Sequence, residues 1–289
     1  MKYDLMFIGP TTIDDNVDYT GEAVHAAGGA VYFCSFAARA AGARVFAAAK
    51  MNPADREIVQ AFEDIPLAIL PSAKTTWMRN VYHDATREKR ESSVPAQSDP
   101  VLPAEIPDEP CSLYHLAGLL YGDFPLELIT ALSRRGLLAA DMQGFLRHNE
   151  GGRLAFHDWA YKKDYLGYFD FVKVDANEAE ILTGLQDRRA AAQQLHAWGA
   201  KEVFISFNEE MLAYDGKAFA AAPVKSRNLS GRTGRGDTVF ASYLARRVLG
   251  DSMADAVRYA TALVSLKMET PGPFRGTDAD VRAFLREFY

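Results

Sequence analysis

Short apolar runs alternate with helical segments along the whole chain, and this alternation limits the fold more than any other feature. Residues 3–9 read as a strand, and Gly28 to Gly42 (GGAVYFCSFAARAAG) as a helix opened and closed by glycine. Residues 44–49 (RVFAAA) read as a strand, a helix follows from about Pro53, and Leu67-Ala68-Ile69-Leu70 is again strand-like. Four more apolar runs follow, Leu113-Tyr114-His115-Leu116, Leu137-Leu138-Ala139-Ala140, Phe171-Val172-Lys173-Val174 and Val203-Phe204-Ile205-Ser206, each separated from the next by helical material. Strands apolar on both faces imply a mostly parallel sheet covered by helices on each side.

Two stretches break the rhythm. Residues 11–27 are polar with a Tyr-Thr-Gly turn, and residues 74–97 half-alternate Thr, Trp, Val and Tyr around a charged centre. A strand buried on both faces would not look like this, and long structureless loops are uncommon in compact domains. The two stretches therefore predict a small half-exposed sheet projecting as a lid. The charged run Arg87-Glu88-Lys89-Arg90 reads as the solvated face of a hairpin within it.

Composition narrows the function classes. The 289 residues suffice for one large α/β domain or two small ones, with 48% hydrophobic and 24% charged residues, as in ordinary soluble enzymes. A net charge of −6 and the lack of any long basic stretch argue against a nucleic-acid partner. Only Cys34 and Cys111 occur, both in apolar surroundings, which points to buried thiols rather than a disulfide framework. The start of the chain reads as a buried strand and not a signal peptide, and no apolar run reaches membrane-spanning length, so a cytoplasmic protein is expected. The six histidines show no metal-ligand spacing.

The chemistry concentrates at Gly231-Arg232-Thr233-Gly234-Arg235-Gly236-Asp237. Apolar residues at 239, 240, 243, 244 and 248 follow helical spacing, so Asp237 belongs to the first turn of a helix. Glycines ahead of a helix let the backbone turn sharply and aim unpaired amides outward, making an anion site. A carboxylate there is an odd choice for passive anion binding and makes sense if it takes a proton from an attacking hydroxyl while the amides hold the charge of a transferred phosphoryl group. The alternative is a polar loop with an ordinary helix-start aspartate.

Four segments together resemble the ribokinase-like (PfkB) carbohydrate kinase family over nearly the full length. They are Gly9-Pro10-Thr11-Thr12-Ile13-Asp14, the Gly28-Gly29 pair, Asn177-Glu178-Ala179-Glu180, and Gly234-Arg235-Gly236-Asp237. The resemblance implies a single ribokinase-like domain over 1–289, a three-layer α/β/α sandwich with the lid at about 11–27 and 74–97. It implies an ATP- and magnesium-dependent kinase acting on a hydroxyl of a sugar, polyol or related small molecule. Asp237 would be the base, with Gly234, Arg235 and Gly236 forming the anion hole. Asp14, Gly28, Gly29, Phe33 and Arg147 would face the substrate; Asn177, Ser206, Asn208, Gly234 and Gly236 would face the nucleotide; and Asn177 with Glu180 would organise the metal. On chemistry alone Asp15 equals Asp14, and the family register decides for Asp14. Arg147 ends the stretch Asp141-Met142-Gln143-Gly144-Phe145-Leu146-Arg147 at the carboxyl edge of the sheet, where ligands of such folds bind.

The departures from the family pattern are as specific as the matches. Phe33 stands where an asparagine is usual, which removes a sugar-hydroxyl contact. Gly231-Arg232 replace Asp-Thr, and the lost acid helps hold a monovalent cation in many members, which argues against potassium activation. Ser206-Phe207-Asn208-Glu209-Glu210-Met211 lacks the glycines usual beside the nucleotide. Two alternatives follow: a nucleoside kinase of the same fold, with Trp77, Phe33 and Tyr32 available to stack on a base, and a catalytically silent small-molecule binder. The exposed lid edge offers a second copy a surface for pairing.

Overall fold

In a computed structural model describing residues 2–83 and 90–289, fifteen strands and ten helices account for the alternation seen in the sequence. The first strands are β1 (Tyr3–Pro10), β2 (Thr12–Val17), β3 (Ala23–Gly28), β4 (Val45–Met51) and β5 (Leu67–Pro71). Then come β6 (Thr76–Tyr82), β7 (Arg90–Ala96), β8 (Cys111–Leu116), β9 (Leu137–Asp141) and β10 (Arg147–Glu150). The last are β11 (Arg153–Phe156), β12 (Phe171–Asp175), β13 (Glu202–Ser206), β14 (Glu210–Tyr214) and β15 (Phe219–Pro223). The helices before the midpoint of the chain are α1 (Ala30–Ala40), α2 (Arg56–Ala61), α3 (Leu126–Leu132) and α4 (Gln143–Leu146). They are followed by α5 (Lys162–Tyr165), α6 (Ala176–Thr183), α7 (Arg188–Ala197), α8 (Arg235–Val248), α9 (Met253–Lys267) and α10 (Asp278–Phe288).

Nine strands form the central sheet in the order β15-β14-β13-β12-β9-β8-β1-β4-β5. Pairing is parallel from β5 to β13, and the hairpin β14–β15 closes one edge antiparallel. The chain leaves β1 toward β4 and β5, then returns to β8 on the other side of β1. Helices deviate to opposite faces at such a reversal, which opens a crevice beyond the carboxyl ends of the strands. One core layer under α1, α8 and α9 and a second under α3, α6 and α7 cover the two faces.

The lid is present and larger than the sequence implies. Six strands join in the order β10-β11-β7-β6-β2-β3. β2, β3, β6 and β7 come from the two irregular stretches, whereas the hairpin β10–β11 comes from residues whose pattern gives no sign of a lid. β6 alternates buried and exposed residues from Thr76 to Asn80, as a sheet with one wet face requires. The charged hairpin tip expected at Arg87 to Arg90 lies outside the described residues, except that Arg90 begins β7. Both cysteines are buried and unpaired with each other. Among the described residues no helix is long and apolar enough to cross a membrane.

Helix α8 is anchored through Phe240, which is fully buried with its ring 5.2 Å from His115 and 5.9 Å from Phe204. Arg247 adds two bonds to the buried Glu202 at 2.9 and 2.8 Å, and Tyr243 donates to the same carboxylate. Substituting Phe240→Ala should cost about 3–5 kcal/mol of stability in urea or guanidinium titration. A loss within error of zero would mean that this contact does not hold α8 to the sheet.

Candidate active site

The loop before α8 is shaped by what its glycines can approach. Gly234 has φ of +74°, and a Cβ there would lie 2.4 Å from the ring of Phe33. Only glycine satisfies both conditions. No side chain caps the start of α8, so the amides of its first turn remain available to an anion. Of the three residues expected to supply those amides, Arg235 turns its own back onto the Arg232 carbonyl at 3.3 Å. Gly236 and Asp237 are left at the open end of the helix.

Asp237 is half-buried in that first turn. Burial, reinforced by the carboxylate of Asp141, pushes its carboxyl up to about 6 against the opposing pull of Lys173, Arg147 and Lys267. A carboxylate so placed ionises near neutrality and can accept a proton from a hydroxyl.

Beneath the loop lies a charge cluster centred on a lysine that no sequence motif marks. Lys173, buried in β12, places its Nζ 3.0 Å from Asp141 at the end of β9 and 3.6 Å from Glu178 in α6. Burial alone would lower the lysine, but Asp141, Glu178 and Asp175 more than offset it and raise it. Burial pushes Glu178 up to about 7 even with Lys173 opposing. A Cβ on Gly236 would stand 3.2 Å from Nζ, so the ammonium group packs directly under the anion loop.

Asp175 and Glu178 form the capping box of α6: Glu178 N donates to Asp175 at 2.8 Å and Asp175 N donates to Glu178 at 2.7 Å. This corrects the expectation for the Asn-x-x-Glu segment. Asn177 and Glu180 are both exposed, and Glu180 accepts from Gln186 at 3.0 Å. Two positions along a helix rotate a side chain by about 200°. The pair Asp175 and Glu178 therefore takes the inward stripe, and the pair two residues on faces away. Among the described residues no three His, Cys, Asp or Glu side chains converge on a metal position. Magnesium usually takes one or two carboxylates and fills its shell with water and donor phosphates. Asp175, half-buried and close enough for its charge to oppose the lowering of the Arg235 guanidinium by burial and Arg232, suits that mode; the exposed Glu180 does not.

The inner face of the lid is polar. Asp14 is buried and accepts from Thr12 Oγ1 at 2.6 Å. A Cβ on Gly28 would fall 2.4 Å from the Asp14 carboxylate, so the first glycine of the pair lets the acid lie against the backbone. Gly29, at φ +92°, caps α1. Asp15 points to the opposite face, 3.7 Å from His25. On the Asp14 side, Asn80 Nδ2 donates to Asn16 at 3.2 Å and Ser92 Oγ donates to Asn80 at 2.7 Å. Arg147 is buried where β10 begins, donates to the Leu119 carbonyl at 2.8 Å, and places its charge within reach of Asp237.

Phe33 does not line this face. Its ring packs under Gly234 and edge-on to Tyr32, 5.5 Å away, inside the core. Tyr32 is likewise buried against Phe36 and Phe62, and Trp77 lies half-exposed on the outer face of β6. Of the three aromatics offered as a base-stacking set, Tyr32 and Phe33 meet edge-on inside the core and Trp77 lies on the outer lid face. On the other side of the anion loop, Arg235 Nη1 donates to Asn208 at 2.7 Å, while Ser206 is buried at the end of β13. Burial and the neighbouring Arg232 lower the Arg235 guanidinium. Such crowding of cations suits an anionic ligand. Lys173 and Lys267 belong to no motif, although a lysine inside an apolar run (FVKVD, LVSLKM) signals a buried charge needing partners.

The model of the pfkB family of carbohydrate kinases matches residues 113–279. A solved pyrophosphate-dependent kinase of the ribokinase family, bound to a pyrophosphate analogue and myo-inositol, is 34% identical, with a TM-score of 0.88 over 96% of this chain and 99% of that one. A pyrophosphate-dependent myo-inositol-1 kinase, converted into a myo-inositol-3 kinase by asparagine-to-leucine and serine-to-leucine substitutions, is 32% identical, with a TM-score of 0.86 over 99% of both chains. The cytidine kinase of Thermococcus kodakarensis is 29% identical over 88% of this chain and 92% of its own length. With the family model spanning more than half of its residues, the chain belongs to the pfkB family of carbohydrate kinases and is a phosphotransferase acting on an alcohol group.

Proposed function

We propose that the protein phosphorylates a hydroxyl of a cyclic polyol of the inositol class, with Asp237 as the catalytic base. The observation that carries this reading is a carboxylate with a pKa of about 6 at the uncapped start of α8, between a polar lid face and a cluster of cations. The acceptor would lie against Asp14, Asn16, Asn80 and Ser92. Its hydroxyl proton passes to Asp237 as its oxygen bonds to the terminal phosphorus of the donor. The bond from that phosphorus to the bridging oxygen breaks, and the leaving group departs with its electrons. The Gly236 and Asp237 amides and the nearby Lys173 ammonium hold the charge on the phosphoryl oxygens. A magnesium ion bound with the donor would neutralise phosphate charge, approached through water by Asp175.

The inositol class is favoured by the lid. Asn80 and Ser92 bond across β6 and β7, and an asparagine and a serine are the residues whose replacement redirected the related myo-inositol-1 kinase. For the donor, ATP is what the family implies. Pyrophosphate is favoured by the adjacent guanidinium groups of Arg232 and Arg235, by the glycine-free 206–211 loop bonded to Arg235, and by the donor of the related kinases. The second reading is a nucleoside kinase using ATP, favoured by the likeness to cytidine kinase. A screen of inositols, sugars and nucleosides against pyrophosphate and ATP separates the two. Turnover with nucleosides alone would overturn the inositol assignment.

Asp237→Asn should lower kcat by about 100- to 10,000-fold, the range for loss of a general base, with pyrophosphate or ATP affinity in calorimetry nearly unchanged. Retained turnover would remove Asp237 from the mechanism. Because the base works deprotonated, kcat should be flat above its pKa and fall about tenfold per pH unit below about 6. A profile level down to pH values near the ordinary carboxylate range would contradict this. Asn80→Leu with Ser92→Leu should change which hydroxyl is phosphorylated, read by phosphorus NMR of the product. An unchanged product would place the acceptor elsewhere.

A further inference from the structure

Lys267, the last residue of α9, is fully buried, and its ammonium group is spent on backbone of the anion loop. Nζ donates to the carbonyl of Gly231 at 2.5 Å and also to the carbonyl of Thr233. The face of the Phe33 ring lies 5.4 Å away and shields the ammonium on one side. Gly231 N in turn donates to the Met268 carbonyl at 2.8 Å. The loop and the carboxyl end of α9 are thus stitched together, by the ammonium on two loop carbonyls and by the loop amide on the Met268 carbonyl. No side chain fits at 231: a Cβ there would lie 1.9 Å from the Thr270 carbonyl oxygen and 2.9 Å from that of Lys267.

Carbonyl oxygens converging on a buried positive charge are the coordination chemistry of a bound monovalent cation. Here the charge is covalently tethered. We propose that Lys267 is a positioning residue that serves as a built-in monovalent cation, fixing the Gly231–Gly236 loop so that its amides and Asp237 face the transferring phosphoryl group. Two departures from the family pattern then have one cause. Gly231 leaves the carbonyls free to reach the ammonium without a competing acid, and Phe33 fills the space beside the lysine stem while supporting Gly234. The tether also supplies positive charge near Asp237 without an ion that must be bound and retained.

The inference rests on the phosphotransfer reading, and the test separates the two. Wild-type protein is assayed with myo-inositol and pyrophosphate, and with ATP in parallel, in tetramethylammonium buffer with and without potassium or ammonium at matched ionic strength. Rates should agree within about twofold, since no free cation site remains to be filled. Lys267→Ala should lose about 10- to 100-fold in kcat and regain most of it on addition of ammonium or potassium, but not of tetramethylammonium, which is too large for the vacated space. Lys267→Met fills that space without charge and should stay low in every salt. Wild-type activation by potassium, or a folded Lys267→Ala protein with full turnover or no recovery in ammonium, would overturn the proposal. If no acceptor turns over, pyrophosphate affinity of the same proteins by calorimetry decides: wild type should be indifferent to the cation, and Lys267→Ala weakened and restored by ammonium. Affinity equal in all three proteins would overturn it there, whatever the reaction proves to be.

Discussion

A buried cation between carboxylates holds the centre of this molecule together. Lys173 pairs with both Asp141 and Glu178 where β9, β12 and α6 meet, at the carboxyl edge of the sheet. None of the three charges could stay in that environment alone, because removing one partner leaves its counterpart desolvated and unpaired at a cost of about 3–5 kcal/mol. The lysine also touches the underside of Gly236. The same group that lets the strand ends carry acids thus supports the start of α8, and both Asp141 and Lys173 act on the ionisation of Asp237. Fold and reactivity share these atoms.

Around that centre the cations are divided by use. Lys173 lies beneath the loop, Lys267 is consumed by loop carbonyls, Arg147 stands where the lid hairpin begins, and Arg232 lies near Arg235, which bonds to Asn208. The acids divide likewise. Asp14 belongs to the lid face, Asp237 to the helix mouth, and Asp175 to the cap of α6. On the proposed reading, this arrangement would hold a neutral, hydroxyl-rich acceptor on the lid side and a highly charged donor on the other, with Asp237 beside the acceptor hydroxyl.

Much of this was legible in the residue order. Hydrophobic period and length pointed to the central sheet, because strands buried on both faces read as unbroken apolar runs. Gly234-Arg235-Gly236-Asp237 marked the helix mouth because glycines, an acid and an apolar stripe stood at fixed offsets. What could not be read was orientation. Asn177 and Glu180 matched a motif by letter, but the capping box of Asp175 and Glu178 sets the rotation of α6, and the lettered pair turns to solvent. Phe33 marked a departure from the family without revealing that its ring supports Gly234 and Lys267 from below. The hairpin β10–β11 joins the lid by a single paired position, Arg153 with Ser93, which no local pattern encodes. Lysines 173 and 267 lie far in sequence from the groups they serve, so their partners emerge only from the fold.

The central claim is geometric: one carboxylate at the start of α8 lies beside the acceptor oxygen, within reach of its proton, as that oxygen meets the terminal phosphorus. A crystal structure of the protein with myo-inositol and a non-hydrolysable pyrophosphate analogue tests it most directly. The account predicts an acceptor hydroxyl about 3 Å from the Asp237 carboxylate and in line with a phosphorus cradled by the Gly236 and Asp237 amides. An acceptor bound away from Asp237, or a phosphoryl group held off the mouth of α8, would contradict it.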